Sequence, residues 1–424
     1  MAPLSVDPRN VLSFVLAGGR GNRLDLLTEV RSKPSVPFGG KYRIIDFTLS
    51  NCINSELRRI AVLTQYKSSS LAKHIRLGWS PNLSPVFGEF VVTVPPQQKV
   101  DDRWYVGTAD AIHQNLDIIR ENQPRFVLIL SGDHIYKMDY RPLLVSHVRH
   151  AADLTVVTLP VPRLQATAFG VIATDPEEQI VDFVEKPVDP IPIPGEPNHS
   201  LVSMGVYCFT TDALLAVLEE DAADPTSSHD FGKDVLPRML GRYRLFSHPF
   251  RDARTGEPGY WRDVGTVGAY YEANMDLVAV SPQLNLYDPF WRIHTYQEDC
   301  PPAKFVFADE GERAGVALDS LVSGGCIVSG GRVVRSILAS RVRINSYAEV
   351  RESLLLGDND VGRHCRIRRA IIDRCVNIPA NTVIGYDEEE DRKRFRVVDD
   401  GICLVTADAQ FPTLRHPAGT AIPA

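Results

Sequence analysis

Apolar residues in the first two thirds of the chain fall in short, β-branched runs set apart by longer mixed stretches. Val11 to Leu16, Ile60 to Thr64, Phe126 to Leu130 and Leu154 to Leu159 are near-continuous apolar runs, the pattern of strands buried on both faces. Ile180 to Val184 reads as a further, alternating strand, and Ala109 to Arg120 has helical spacing. This alternation predicts an α/β, Rossmann-like domain with a mostly parallel sheet.

Between Ser281 and Ala303 the pattern breaks around Pro282, Pro289, Pro301 and Pro302, as in an extended linker. Beyond it aliphatic residues recur every six positions: Val316, Val322, Val328 and Val334, then Ile344, Val350 and Leu356, then Ile372, Ile378 and Ile384. Six is neither the helical nor the strand period. It is the hexapeptide period of a left-handed parallel β-helix, whose coils stack aliphatic residues inward. Ser323-Gly324-Gly325 and Ser329-Gly330-Gly331 supply small residues at the turns. The expected division is the α/β domain over 1–280, a linker over 281–311 and the β-helix over 312–424. The run Asp387 to Arg396 reads as a solvated charged face, followed by a strand from Gly401 to Thr406 and a Pro-rich tail.

Length and composition agree with this division. At ~150 residues per domain, 424 residues make two or three domains, and 44% hydrophobic with 23% charged residues describes a globular chain. No apolar run approaches the ~18 residues of a membrane-spanning helix. Val11 to Ala17 imitates the core of a signal peptide, yet it runs straight into Gly18-Gly19-Arg20-Gly21, which suits a strand entering a glycine loop, so a cytoplasmic protein is expected. The seven cysteines are widely spaced and form no C-x-x-C pair, which indicates reduced thiols and no zinc site. A net charge of −7 argues against a nucleic-acid or anionic-membrane surface, so a polyanionic ligand must be met locally. A local basic excess does occur at Arg20, Arg23, Arg31 and Lys33, beside the glycine loop.

That loop, Leu16-Ala17-Gly18-Gly19-Arg20-Gly21-Asn22-Arg23-Leu24, follows a buried strand. Its glycines let backbone N–H groups approach phosphate oxygens. No Gly-Lys-Ser/Thr closes it, so it is not a Walker A loop, and Leu24 occupies the third glycine position of the dinucleotide fingerprint. Asp133, beyond the Phe126 to Leu130 strand, stands where ligands gather in open parallel sheets. With the distant Asp263 it offers two carboxylates to Mg²⁺.

The pattern Gly-Gly-x-Gly-x-Arg-Leu with Lys33-Pro34 after it resembles the signature loop of sugar-phosphate nucleotidylyltransferases. The resemblance continues through Thr64-Gln65-Tyr66, Trp104-Tyr105-x-Gly107-Thr108, Ser131-Gly132-Asp133-His134, Phe183-Val184-Glu185-Lys186-Pro187, Ser203-Met204-Gly205, Ser227 to Asp234 and Trp261-Arg262-Asp263-Val264-Gly265. These ordered motifs are similar to those of bacterial glucose-1-phosphate adenylyltransferases and cover nearly the whole chain. The resemblance implies transfer of AMP from ATP to α-glucose 1-phosphate, with Mg²⁺, at the first committed step of glycogen synthesis, by an allosterically regulated homotetramer. It implies that Leu16, Ala17, Gly18, Gly19, Gly21 and Gly132 bind the nucleotide with Arg23, Lys33 and Asp133, and that Arg23, Lys33, Asp133 and Asp263 are catalytic. Tyr105, Gly170, Glu185, Lys186 and Ser203 would hold glucose 1-phosphate.

Two rivals stand beside this reading: a hexapeptide acyltransferase fused to a sugar nucleotidyltransferase, and a non-catalytic regulatory subunit of the same fold. His364 is the only histidine in the repeats, which disfavours the first, and retention of Arg23, Lys33, Asp133, Lys186 and Asp263 disfavours the second. The chain departs from the bacterial pattern at Asn22, where Thr is usual, and at Val30, Pro37 and Glu121, where relatives carry effector-linked basic residues. An anionic metabolite other than fructose 1,6-bisphosphate is therefore expected, held by Arg31 and Arg43 together with Lys393, Arg394 and Arg396, where the β-helix domain meets the catalytic one.

Overall fold

The computed structural model describes residues 6–19, 21–97, 104–252, 254–308, 313–398, 400–409 and 411. Arg20 of the glycine loop and the Pro-rich tail from residue 412 lie outside the described residues. Two compact units emerge, one made of residues 1–36, 42–265 and 283–297, the other of 37–41, 266–282 and 298–424.

A nine-stranded sheet organises the first unit. Phe90–Val94, Arg59–Thr64, Val11–Ala17 and Phe126–Ser131 run parallel in that spatial order. His199–Thr210 then pairs antiparallel with Phe126–Ser131 and carries Leu154–Pro162 beside it. The near-continuous apolar run of the first strand has a direct cause. Val11, Val15 and Ala17 enter one apolar cluster while Leu12 and Phe14 enter another, so both sheet faces are covered. The predicted helix from Ala109 is two pieces, Thr108–His113 and Leu116–Asn122. Asn115 breaks it, because its side-chain amide donates to the Ala111 carbonyl at 2.8 Å and to the Tyr105 hydroxyl at 2.9 Å.

Unit boundaries depart from the expected ones at the linker. Residues 283–297 join the first unit because their polar groups meet the buried helix Ile44–Asn54: His294 N donates to Ser50 Oγ at 2.8 Å, and Thr295 Oγ1 to Asp46 Oδ2 at 2.7 Å. Asp46, fully buried, also accepts from Trp79 Nε1 at 3.0 Å and lies 2.6 Å from His74 Nε2. Residues 266–282 belong to the second unit, where Tyr271 Oη donates to the Glu352 carbonyl at 2.6 Å. A boundary drawn from proline content could not see these bonds.

The second unit is a left-handed parallel β-helix of hexapeptide repeats, with three ladders of short parallel strands. One ladder stacks Val316–Leu318, Arg332–Val334, Glu349–Arg351, Arg366–Arg368 and Val383–Ile384 in register. Val328, Val333, Leu338, Ile344, Val350, Leu355, Val361, Ile367, Ile372, Ile378 and Ile384 fill the core. Their steps are of five or six residues, one five commonly followed by two sixes, so the strict six-residue column fails at Val334 and Leu356, and Val333 and Leu355 take the inward places. Left-handed backbone turns the corners, at φ of 46°, 47°, 46° and 46° for Asp319, Arg335, Glu352 and Arg369.

The charge run is a helix, Glu388–Arg394, capped by the Asp387 side chain. Four carboxylates occupy its first turn and three basic residues its last, as the helix dipole favours. The closing strand is Cys403–Val405. No helix of the described residues is long and apolar enough to cross a membrane.

Candidate functional site

Strand Val11–Ala17 delivers the glycine loop to the carboxyl edge of the sheet. Gly21 has a left-handed φ of 64°, and a Cβ there would lie 3.0 Å from Lys33 Cβ, so only glycine fits without strain. The Gly21 carbonyl accepts from Thr28 Oγ1 at 3.1 Å and from Leu24 N at 2.9 Å, which sets the loop's exit. A cavity of about 1230 Å³ opens beside the loop. Leu16, Ala17, Gly18, Gly19, Gly21, Arg23, Lys33 and Asp133, expected from sequence to bind a nucleotide, line it, whereas Gly132 does not.

The cavity's far wall comes from two motifs knitted together. Gly107 lets them approach, since a Cβ there would lie 2.1 Å from the His229 carbonyl oxygen. Thr108 Oγ1 donates to Asp230 Oδ2 at 3.1 Å and accepts from Phe231 N at 2.9 Å. Gln65, Tyr66, Trp104, Thr108 and Asp230 line the cavity without having been assigned a role from sequence. Their only signal was membership of the quoted motifs.

Asp133 and Asp263 come together through a short antiparallel ribbon, His134–Tyr136 with Trp261–Asp263, in which Asp263 stands opposite His134. Lys33 occupies the space between the two carboxylates. Its Nζ donates to Asp133 Oδ2 at 2.8 Å and to Asp263 Oδ1 at 2.9 Å, and its side chain is 7% exposed against 31% and 18% for the carboxylates. Burial alone would raise the pKa of Asp133. The Lys33 ammonium, with His134 and a hydrogen bond from Ser131 Oγ, outweighs it and holds the carboxyl well below the usual range. Burial likewise pulls the Lys33 pKa down, and the two carboxylates overcome it and raise it. Lys33 was expected to reach toward phosphates; here it is the counter-ion of the pair.

His134, assigned no role from sequence, belongs to the same constellation, with Nε2 3.6 Å from Asp133 Oδ1 and 3.9 Å from Asp263 Oδ1. The three side chains offer ligand atoms all within 4.8 Å of one another. A cation already sits between the two carboxylates in the form of the ammonium, and oxygen donors of this kind suit a hard divalent ion. The residues therefore fit a metal such as Mg²⁺.

The residues expected to hold the sugar phosphate are less uniform. Glu185 lies across the ladder from Gly170, and Cβ atoms at Gly170 and Gly232 would come within 2.9 Å and 2.6 Å of Glu185 Oε2. Two glycines thus make room for this carboxylate. Lys186 follows at a left-handed φ of 48°, unusual for a side chain of this length, and its Nζ lies 2.7 Å from Glu185 Oε1 while the side chain stays 57% exposed. Ser203 is buried, its Oγ accepting from Gly205 N at 3.2 Å. Tyr105 lines the glycine-loop cavity, with its hydroxyl turned to Asn115. Gly170, Glu185, Lys186 and Ser203 do not line that cavity.

Among the residues expected to hold an effector, Arg43 donates from Nη1 to the Ser70 carbonyl and Oγ, at 3.2 and 2.8 Å. Arg31, in the first unit, is half-buried, and Arg396 opens the strand Arg396–Val397. Lys393 and Arg394 pair with Glu390 at 2.5 Å and Asp391 at 3.0 Å. For Lys393 and Arg394 the partners lie within their own helix.

A family model described as nucleotidyl transferase matches residues 12–279, and one described as GlmU-like, C-terminal hexapeptide matches 301–405. The chain is 55% identical over 400 residues to a protein of Methylococcus capsulatus named glucose-1-phosphate adenylyltransferase, covering 94% of each. It is 53% identical over 404 residues to one of the same name from Dechloromonas aromatica, covering 94% of this chain and 91% of that one. A protein of Alkalilimnicola ehrlichii named glucose-1-phosphate adenylyltransferase 2 is 54% identical over 400 residues, at 94% of both chains.

Proposed function

The chain belongs to the glucose-1-phosphate adenylyltransferases, enzymes of the nucleotidyltransferase class, and from that premise we propose that the glycine-loop cavity with Lys33, Asp133 and Asp263 carries out the transfer. The observation that carries this reading is the Lys33 ammonium held between two carboxylates at the cavity wall. In the proposed reaction a phosphate oxygen of α-glucose 1-phosphate attacks the α-phosphorus of ATP. The bond from that phosphorus to the β-phosphate's bridging oxygen breaks, and pyrophosphate leaves with the electron pair, giving ADP-glucose.

A phosphate monoester is already ionised near neutral pH, so this chemistry needs positioning and charge neutralisation more than a general base. Gly18, Gly19 and Gly21 leave backbone room for the nucleotide phosphates. Arg23, exposed on the cavity wall, supplies a guanidinium for the leaving pyrophosphate. Lys186 is the candidate for the sugar phosphate, supported by its exposed ammonium, and Glu185 in its glycine cradle is an acceptor for a sugar hydroxyl. Asp133 and Asp263 would hold Mg²⁺, which would supply charge neutralisation at the phosphate oxygens. Release of pyrophosphate from ATP and glucose 1-phosphate, with ADP-glucose identified by mass spectrometry, tests the reading. Loss of that release in Asp263→Asn, with the parent's far-UV circular dichroism retained, is expected; undiminished release overturns the assignment.

The resemblance also supports a role in glycogen synthesis, a homotetrameric assembly and control by an anionic metabolite. Light scattering and saturation curves with phosphorylated metabolites test the last two. Seven cysteines without a disulfide support a reducing compartment, the cytoplasm.

A further inference from the structure

Helix Thr211–Ala222 carries a carboxylate, Asp221, buried to 2% exposure in its last turn. A charge in such a place persists only where partners surround it. Ser227 Oγ donates to Asp221 Oδ1 at 2.6 Å, Arg238 Nη1 stands 3.7 Å from the same oxygen, and His229 Nδ1 lies 2.8 Å from Oδ2. A carboxylate only accepts, so the ring nitrogen facing it carries the proton. Ser227 Oγ in turn accepts from His229 N at 3.0 Å. One carboxylate on a packed helix thus grips the turn 227–229 through two side chains.

The grip holds His229 in left-handed backbone, at φ 55°, a conformation that persists at such a residue when its surroundings impose it. The backbone so fixed has consequences on both of its sides. The His229 carbonyl accepts from Ala109 N at 2.8 Å, at the start of helix Thr108–His113. Asp230, next in the chain, lines the glycine-loop cavity, its Oδ1 accepting from Gly232 N at 2.9 Å and its Oδ2 from Thr108 Oγ1 at 3.1 Å. Gly232 then abuts Glu185, so closely that a Cβ on it would come 2.6 Å from Oε2. Asp221, Ser227 and His229 themselves line no part of that cavity. Among the described residues no hydrogen bond joins 227–232 to the glycine loop or to Lys33. What the turn sets is therefore the wall opposite the nucleotide loop and the room around Glu185.

We infer that Asp221 and His229 are positioning residues for the transfer: their buried pair fixes the turn that presents Asp230 and Gly232, and through it the glucose 1-phosphate side of the site. This rests on the assignment of Glu185 and Lys186 to the sugar phosphate. Neither Asp221 nor His229 touches the reacting atoms; both act by keeping the groups that orient a substrate in register, where a displacement of about 1 Å can lower the rate on the order of 10²-fold.

Steady-state kinetics of the full chain, with KM read separately for the two substrates, test this. His229→Ala should raise KM for glucose 1-phosphate at least about tenfold and leave that for ATP within about threefold. Asp221→Asn, which keeps the outline of the carboxylate but accepts at only one of its two terminal atoms, should show the same selective rise. His229→Asn should rescue, staying within about threefold of the parent for both substrates, because its amide N–H stands as far from the backbone as the imidazole Nδ1–H and asparagine tolerates left-handed backbone. A merely structural role would reduce the amount of active enzyme, lowering apparent kcat and leaving both KM values in place. Far-UV circular dichroism checks folding, and if His229→Ala does not fold, Asp221→Asn carries the test. The inference is overturned if KM for glucose 1-phosphate is unmoved in the folded variants, if KM for ATP rises as much, or if His229→Asn is as impaired as His229→Ala. Lys186→Ala, run alongside, separates the two levels: a parent-like KM for glucose 1-phosphate there overturns the sugar-phosphate assignment, whereas a selective defect there beside parent-like Asp221→Asn and His229→Ala overturns the positioning role alone.

Discussion

Replacing Lys33 by methionine keeps most of the unbranched side chain, one atom shorter, and removes the charge that two carboxylates share. In the parent the ammonium makes contacts of 2.8 and 2.9 Å from a position only 7% exposed. Removing one partner of a buried ion pair costs about 3–5 kcal/mol, because the remaining charge is stranded. Here two carboxylates would be stranded facing each other, but Asp133 keeps 31% exposure, which lets solvent relieve part of the repulsion. The lower end of that range, ~3 kcal/mol, is therefore expected. At roughly 2–4 °C per kcal/mol for a unit of this size, Tm should fall by about 6–12 °C. The pH dependence has a definite sign. In the parent the depressed pKa of Asp133 contributes stability present above its unfolded value, near ~3.9, and lost as pH falls through the folded one. In the variant burial and the neighbouring Asp263 raise that pKa, so protonation relieves strain as pH falls, and the gap between the two proteins should narrow from pH 7 toward pH 5. Added Mg²⁺ should also raise the variant's Tm more than the parent's, since no ammonium competes for the carboxylates. Scanning calorimetry at several pH values, with and without Mg²⁺, measures all three effects. A variant that melts with the parent throughout would refute the counter-ion role of Lys33.

Asp133→Asn should fold normally and lower kcat by roughly 10²-fold or more, since it weakens the charge-neutralising centre; near-normal turnover at saturating Mg²⁺ contradicts this. Lys186→Ala should raise KM for glucose 1-phosphate and leave that for ATP nearly unchanged, as expected for loss of a substrate-binding charge; a defect confined to ATP reverses the placement of the two substrates. His147 is buried between Thr155 and Thr210, and burial pushes its pKa down to about 4. Its contribution is present above the unfolded value near ~6.5 and lost as pH falls through the folded one, a change of about 3 kcal/mol that acid titration of stability should show and that His147→Gln should remove. Asn381 turns a β-helix corner at φ 63°, so Asn381→Gly should raise stability by up to ~1 kcal/mol, read by chemical denaturation; a loss of more than that would mean its side chain matters more than its backbone.

Asp133 could be found from sequence because a buried apolar run ends just before it, and ligands collect at such ends. Its pairing with the distant Asp263 could be supposed from the chemistry of two carboxylates but not located, since the ribbon joining them has three residues on each side and shows no periodicity. Lys33 was visible as a basic residue near the loop, whereas its place between the carboxylates is purely tertiary. Glu185 and its glycines show the same limit: Gly170 and Gly232 lie far apart in the chain, and only folding reveals that both make room for one carboxylate. The β-helix announced itself through repetition, but a shift of one residue left Val334 half-buried and gave the core place to Val333.

The left-handed corners of the β-helix recur in columns, one of them Tyr347, His364 and Asn381, another Arg341, Asp358 and Cys375. Both of these columns advance by 17 residues per coil, as does the Arg335, Glu352 and Arg369 column after its first step of 16 from Asp319, and from Arg335 onward that interval fixes how the unit can change in length. Losing a single residue would turn every later side chain toward a different face, burying charge and exposing Val361, Ile367 and their successors. Losing 17 together would bring each remaining corner, core residue and outward arginine back over an equivalent neighbour. For this unit, evolution by insertion and deletion is quantised in whole coils, and surviving length variants should differ by that interval or be confined to its two ends.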